Sequence, residues 1–225
     1  MRRIVLPIGF GIIGCAILLA LGFWQVQRLG WKQGILAQID ARISAAPVPL
    51  PDRPERTRDQ YLAVTASGVL APGMVRILVS QKGLGAGYRI ISPFKVGARH
   101  VLLDRGILPA EAGVPAPPEG TVQVVGNLLW PDEIDSFTPD PDLNANIWFA
   151  RDLADLSSAL GTEPVLIVLR ESAFEDAPVQ PLPVGGAGIP NDHLGYAITW
   201  FSLAAIWVGM TGYFLWRMRR QTSEG

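Results

Sequence analysis

Cysteine and histidine are scarce in this chain, which has one cysteine, Cys15, and two histidines, His100 and His193. Cys15 lies inside a long apolar run, so the other residues can form no disulfide and cannot hold copper through a pair of thiolates. The chain also has no His-x-x-x-His or Cys-x-x-Cys pattern, and no serine or cysteine nucleophile beside a histidine in a recognisable motif. These absences argue against an enzyme.

Charge is absent from two long stretches, Ile4–Gln27 and Leu194–Trp216. A helix needs about 20 apolar residues to cross a bilayer core, so both stretches are long enough. Both carry aromatic residues near their ends, where rings favour the headgroup layer. These are Phe23, Trp24, Trp31, Tyr196, Trp200, Tyr213 and Trp216. We predict two transmembrane helices, because the first apolar run is too long for a cleaved signal peptide ending near Gly22 or a lipoprotein signal at Cys15.

Basic residues flank the two apolar runs on their outer sides and predict their orientation. Arg2 and Arg3 precede the first run, and Arg217, Arg219 and Arg220 follow the second. Positive flanks stay on the cytoplasmic side of a membrane, so the segment between the runs is predicted to be periplasmic, or in the intermembrane space of an organelle. The predicted organisation is a cytoplasmic N-terminus with transmembrane helix 1 at 1–27, an extramembrane α+β domain at 28–193 with a helical stalk at 31–44, transmembrane helix 2 at 194–216, and a cytoplasmic tail at 217–225.

The segment between the runs consists mainly of short β-branched or aromatic stretches separated by glycine or proline, a pattern typical of strands. The predicted strands are Tyr61–Leu70, Val75–Ser80, Tyr88–Phe94, His100–Leu103, Thr121–Leu129, Ile147–Phe149 and Val165–Leu169. Asp104-Arg105-Gly106 is expected to close one of them and to form a structural ion pair or a turn. Asp152–Leu160 is predicted to be a short helix. Consecutive strands with short connections favour a membrane α+β fold, in which two terminal transmembrane helices flank a mainly antiparallel β-sheet or open barrel with short helices.

His193 stands where the hydrophilic segment meets the second apolar run. Pro190, Asn191 and Asp192 form a helix-start signature, with Asn191 or Asp192 as the N-cap. The positive end of the helix dipole disfavours a charged imidazole, and the neutral ring is the form that binds iron or copper. The residues alone leave two interpretations open, a metal ligand or an interfacial histidine that anchors the helix.

The neighbours of His193 on its predicted helix form a face against which a flat macrocycle or another helix could pack. At 100° per residue the face contains His193, Tyr196, Ala197, Trp200, Ala204 and Trp207. Small residues four apart favour close helix contact, and they occur as Gly11 with Cys15 and as Ala205 with Gly209.

A second group of residues is predicted at the same membrane interface as His193. Trp24, Gln25 and Arg28 end the first apolar run. Two roles remain open for Arg28. It could pair with the carboxylates of an amphiphilic ligand such as haem, or extend to the lipid headgroups.

Segments along most of the chain resemble the surfeit locus protein family of cytochrome c oxidase assembly factors, in a bacterial-type form. They are Leu21–Lys32 (LGFWQVQRLGWK), Gly87–Phe94 (GYRIISPF), Val101–Pro109 (VLLDRGILP), Phe137–Asp140 (FTPD), Ile147–Asp152 (IWFARD) and Asn191–Ala204 (NDHLGYAITWFSLA). The chain departs from the family at Ile107, where a tryptophan is usual, and at Gln60 before Tyr61, where an Arg-Tyr pair is common. Neither departure touches the histidine.

The resemblance implies a non-enzymatic assembly factor for aa3-type haem-copper oxidase in the bacterial inner membrane, with both termini cytoplasmic and the main domain periplasmic. It implies transient binding of haem a, with His193 as iron ligand and Tyr196, Trp200, Trp24 and Arg28 as further cofactor-binding residues. The implied partners are oxidase subunit I, haem a synthase and the lipid bilayer, without nucleic acid. The alternative is a structural chaperone that stabilises an early subunit I intermediate without carrying haem.

Overall fold

The computed structural model describes residues 2–81, 85–171, 174–185 and 192–223. Over these ranges the elements are α1 (Arg2–Ile43), β1 (Val48–Pro49), α2 (Arg56–Asp59), β2 (Ala63–Leu70), β3 (Val75–Gln81), β4 (Gly85–Val96), β5 (Arg99–Pro109), β6 (Val122–Leu129), β7 (Ile147–Trp148), α3 (Leu153–Leu160), β8 (Leu166–Leu169) and α4 (His193–Ser223). They form two compact units: a helical unit of residues 1–38 and 186–225, and a barrel unit of residues 39–185.

The helical unit contains two helices that are long and apolar enough to cross a membrane, over Val5–Ile43 and His193–Gln221. Few side chains of either helix are buried within the protein. An apolar surface of this length avoids water when it lies in lipid, so the two helices fit a membrane protein.

Glycines on α1 receive large side chains from α4. A Cβ atom on Gly14 would lie 2.5 Å from the ring of Trp207, and one on Gly22 would lie 2.7 Å from the ring of Phe201. The indole Nε1 of Trp207 donates a hydrogen bond of 3.0 Å to the carbonyl oxygen of Gly11. Because glycine has no side chain, these positions on α1 leave the space that the α4 aromatic rings occupy, as expected where small residues allow two helices to approach closely.

Of the predicted contact residues, Gly11 on α1 is confirmed, and the two on α4 are wrong. Gly11 is buried, and a Cβ atom there would collide with the Thr211 side chain. Ala205 is exposed, however, and a Cβ on Gly209 would meet no atom within 4 Å. The reason is that α4 meets α1 with a different face, which carries Phe201, Trp207 and Thr211.

Five strands of the barrel unit close on themselves in the order β2-β6-β8-β5-β4, with β4 pairing back to β2. All neighbours around this ring are antiparallel except β5 and β8, which are parallel. Outside the ring, β3 extends the sheet antiparallel to β4, and the two-residue strands β1 and β7 add parallel edges. The predicted fold class, two apolar terminal helices flanking a mainly antiparallel sheet or barrel, is confirmed.

Apolar side chains pack on both faces of the barrel strands. One cluster draws on all five ring strands and includes Val64, Phe94, Leu103, Leu128 and Ile167. The other packs α3, β3 and β7 on the opposite face. Because successive side chains point to opposite faces, burial on both sides fits the continuous apolar run of β8, Leu166–Leu169.

The short helix α3 has the signals expected for its ends, and its prediction is confirmed. The Asp152 carboxylate accepts hydrogen bonds from the amides of Ala154 and Asp155, at 2.7 and 3.2 Å. Gly161 ends the helix with φ of 64°, which glycine adopts without steric cost.

The expectation that Asp104-Arg105-Gly106 closes a strand is wrong, since β5 continues to Pro109. Arg105 is the extra residue of a β-bulge opposite Ile90 and Ile91, between the paired Asp104 and Gly106. The charged residues remain in a buried strand because each side chain has an ionic partner. Arg105, the extra residue of the bulge, forms a separate ion pair with Asp176.

Candidate ligand site around His193

His193 is the first residue of α4, and its side chain is half-buried. Asp192 stands directly before it, and the Asp192 carbonyl accepts a hydrogen bond of 3.2 Å from the amide of Tyr196. The predicted start of the helix at this point is confirmed. Asn191, the other predicted cap, lies outside the described residues.

Gln25 is the residue that the structure brings to His193. The His193 Nδ1 atom lies 2.8 Å from the Gln25 Oε1 atom, across 168 residues of sequence. Gln25 belongs to α1 and is only 8% exposed. An amide oxygen can only accept, so this contact is a hydrogen bond when Nδ1 carries the hydrogen, and a neutral ring of that tautomer has its lone pair on Nε2. Sequence reasoning placed Gln25 at this interface but gave it no role.

The predicted aromatic residues near this pair differ in how exposed they are. Trp24 is 55% exposed and Tyr196 is 56% exposed, whereas Trp200 is half-buried. Over the part of the chain that the structure describes, no ring contact or hydrogen bond joins these three side chains to His193. Their part in binding stays a prediction.

The rest of the predicted face on α4 is packed within the protein. Ala197 and Ala204 are 2% and 3% exposed, and Trp207 covers the glycines of α1. Of the two partners suggested for this face, a macrocycle or a helix, the helix occupies the Trp207 end. The open surface near His193 therefore lies towards Tyr196, which remains more than half exposed.

Arg28 is exposed, and its guanidinium carbon lies 4.0 Å from the centre of the Trp31 ring. Stacking on an aromatic face holds the guanidinium plane and leaves its in-plane N–H groups able to donate. The arrangement is compatible with a carboxylate partner, and the choice between that and the lipid headgroups stays open.

The barrel unit contains a polar network around Asp104, which confirms the structural ion pair expected there, although sequence reasoning missed its partners. The fully buried Asp104 accepts hydrogen bonds from Arg89 at 2.5 Å and from Arg151 at 3.4 Å. Arg151 also pairs with Glu133, although the acidic residues that follow Glu133 are typical of a solvated loop. Burial alone would raise the pKa of Glu133, but the hydrogen bond and charge of Arg151 outweigh it and hold that pKa below its usual value. Every carboxylate here already has a cation, so the network is structural.

Comparison with known proteins identifies the family. The SURF1 family model matches residues 12–205, a range that includes both Gln25 and His193. Surfeit locus protein 1 of Homo sapiens is 30% identical over 82% of this chain and 69% of its own length. SURF1-like proteins of Drosophila melanogaster and Rickettsia felis are 29% and 28% identical, over 89% and 86% of this chain and 75% and 89% of their own lengths. Members are known as cytochrome c oxidase assembly factors rather than catalysts. Because the match spans most of the sequence, the chain belongs to the SURF1 family.

Proposed function

We propose that this protein assists assembly of aa3-type cytochrome c oxidase by binding haem a transiently through His193 and presenting it to subunit I. In this proposal haem a synthase supplies the haem. Family membership supports the general role of assembly factor. The contact between His193 Nδ1 and Gln25 Oε1 supports the specific one, because it occupies Nδ1 and leaves Nε2 as the ring nitrogen available to a metal.

The residues around His193 fit a haem. When bound, haem a would supply an iron that takes up an imidazole nitrogen, and His193 is the residue that would hold it. Among the described residues none forms a hydrogen bond with Nε2. The ring is half-buried, so a ligand can reach Nε2 from the exposed side. A single histidine provides one axial bond, which suits a carrier that must release its cargo.

The helical unit also has an apolar groove suited to the isoprenoid tail of haem a. The groove has a volume of about 390 Å³, and its lining residues are Gly14, Ile17, Leu18, Leu203, Ile206, Trp207 and Met210. Leu203 is ten residues along α4 from His193, which corresponds to roughly 15 Å along the helix axis. An extended tail could reach the groove from His193, while Arg28 binds a propionate at the polar end.

The haem content of the purified protein tests the proposal. Full-length protein solubilised from cells that make haem a should carry haem a, and His193→Ala should lose it. His100→Ala is the matched control, because His100 is the only other histidine and lies in β5 of the barrel unit. A wild-type protein without haem, or an unchanged absorption spectrum in His193→Ala, would contradict the carrier role. A haem-free protein that still preserves subunit I in such cells would instead support the chaperone alternative.

The proposed location is the bacterial inner membrane, with both termini cytoplasmic and the barrel unit periplasmic. The basic residues outside the two apolar runs support this orientation. A reporter that is active only in the cytoplasm should work when fused after Gly225. The same reporter fused after Gly185, which removes α4, should be silent. The reverse pattern would contradict the proposed topology.

A further inference from the structure

We propose that Gln25 is a positioning residue that fixes the tautomer and orientation of His193, so that Nε2 is the atom presented to iron. This inference rests on the proposed haem-binding function and adds a residue on the other long helix to the site. Gln25 would not touch the iron, since its amide faces the opposite ring nitrogen.

Burial gives the Gln25 amide a strong need for this hydrogen bond. The residue is 8% exposed and lies in a stretch of α1 that contains no charged residue. A buried polar group without a partner is unfavourable, and His193 Nδ1 at 2.8 Å supplies the partner. The neighbouring glutamine on the same helix, Gln27, is exposed and has no such constraint.

The tautomer decides whether His193 can act as a ligand. A neutral imidazole carries its hydrogen either on Nδ1 or on Nε2, and only the nitrogen without hydrogen can donate its lone pair to a metal. With Gln25 accepting from Nδ1, the lone pair is on Nε2, the nitrogen farther from the backbone. The same bond restricts rotation of the ring, as outer hydrogen bonds do for many metal-bound histidines.

The pairing of the two helices is therefore part of the site. Gln25 belongs to α1 and His193 to α4, so the hydrogen bond forms only when the helices lie together. Contacts close in sequence to both residues maintain that pairing. The ring of Phe201 packs over Gly22 and makes an edge-on contact with Phe23, with 5.4 Å between the two ring centres. A ligand nitrogen oriented across two helices is exposed only in the assembled pair.

The tautomer can be measured without haem. In a His100→Gln background His193 is the only imidazole, so ¹⁵N-histidine labelling of full-length protein in detergent reports on it alone in long-range ¹H–¹⁵N spectra. We expect the Nδ1–H tautomer with Gln25. The near-isosteric Gln25→Met should give the Nε2–H form or a mixture, whereas Gln25→Glu, which keeps an acceptor, should restore Nδ1–H. Gln27→Met should match the parent protein.

Haem a titration of the same variants tests the consequence. Loss of such an outer hydrogen bond typically weakens metal binding 10–100-fold, so we expect a weakening of roughly that size for Gln25→Met. Gln25→Glu should stay within a few-fold of wild type, and Gln27→Met should equal it. An Nε2–H tautomer in the parent, or the same tautomer and affinity in Gln25→Met, would overturn the inference. Absence of haem binding by the wild type, with the Nδ1–H tautomer intact, would overturn the proposed function instead.

Discussion

Removing Asp176 should destabilise the barrel unit strongly, because it leaves a buried arginine without its counter-ion. The side chains of Arg105 and Asp176 are both 2% exposed. Arg105 Nε donates to one Asp176 oxygen at 2.9 Å and Nη2 donates to the other, so the pair is bidentate. The other contacts of the guanidinium are long, at 3.5 Å to Ser92 Oγ and 3.5 Å to the Pro115 carbonyl.

The size of the effect follows from this geometry. Breaking a buried ion pair on one side typically costs about 3–5 kcal/mol, since the remaining charge stays out of water without compensation. In a protein of this size 1 kcal/mol lowers Tm by about 2–4 °C, so Asp176→Leu or Arg105→Met should lower it by roughly 6–20 °C. The double variant should return close to wild type or exceed it, because no buried charge remains.

Thermal unfolding of the detergent-solubilised full-length protein, followed by near-ultraviolet circular dichroism, measures these shifts. Asp132→Ala is the control, because the Arg56–Asp132 pair is 3.7 Å apart and its side chains are 57% and 88% exposed. That pair should contribute no more than about 1 kcal/mol. Single variants within about 1 kcal/mol of wild type, or a double variant as unstable as both singles combined, would refute the assignment of the stability to the buried pair.

Two further predictions concern the barrel unit. Gly106→Ala should lower the free energy of unfolding by roughly 3 kcal/mol or more, since φ is 122° and a Cβ would collide with the Gln180 carbonyl. Gly97→Ala should lower it by about 1–2 kcal/mol, because φ is 61° but the space around a Cβ is open. Equal Tm values for the two variants in unfolding scans would contradict this prediction. Acid should destabilise the protein, because partner arginines hold the pKa values of three carboxylates below the ordinary 3.8 for aspartate and 4.5 for glutamate. The stability that these ion pairs contribute is present above the ordinary pKa values, and it is lost as the pH falls through the lower pKa values of the folded state. The three are Asp59, Glu133 and Glu163, and a Tm that is the same at pH 6 and pH 3.5 would contradict the prediction.

The strands and the short helix could be predicted from sequence because their signals are local. The predicted strand Val165–Leu169 differs from β8 by one residue, and Asp152 and Gly161 mark the ends of α3. The sequence predictions were wrong where a residue distant in sequence determines the local structure. β5 was expected to stop before Asp104, but Arg89 and Arg151 neutralise that carboxylate and the strand continues.

Closure of the barrel could not be predicted from local sequence signals for the same reason. Closure requires β8 to insert between β5 and β6, parallel to one and antiparallel to the other. Nothing within the four residues of β8 specifies those neighbours, although apolar residues throughout it predict burial on both faces. The prolines of segment 46–51 favour an extended linker, yet Val48 and Pro49 pair with β2 at an edge, where a missing N–H is tolerated.

The His193 site depends both on local sequence signals and on a partner distant in sequence. The helix start follows from local residues, but the hydrogen-bond partner of His193 is a residue 168 positions away on the other long helix. Both helices are apolar around most of their circumference, so periodicity does not indicate which faces meet, and the small-residue rule succeeded only for α1. The glutamines that end the charge-free stretch of α1 are the informative signal, because an amide there needs either a partner or an exposed position. The sequence offers two such amides, Gln25 and Gln27, for the one imidazole at this interface, and it is the burial of Gln25 between the paired helices that selects the contact.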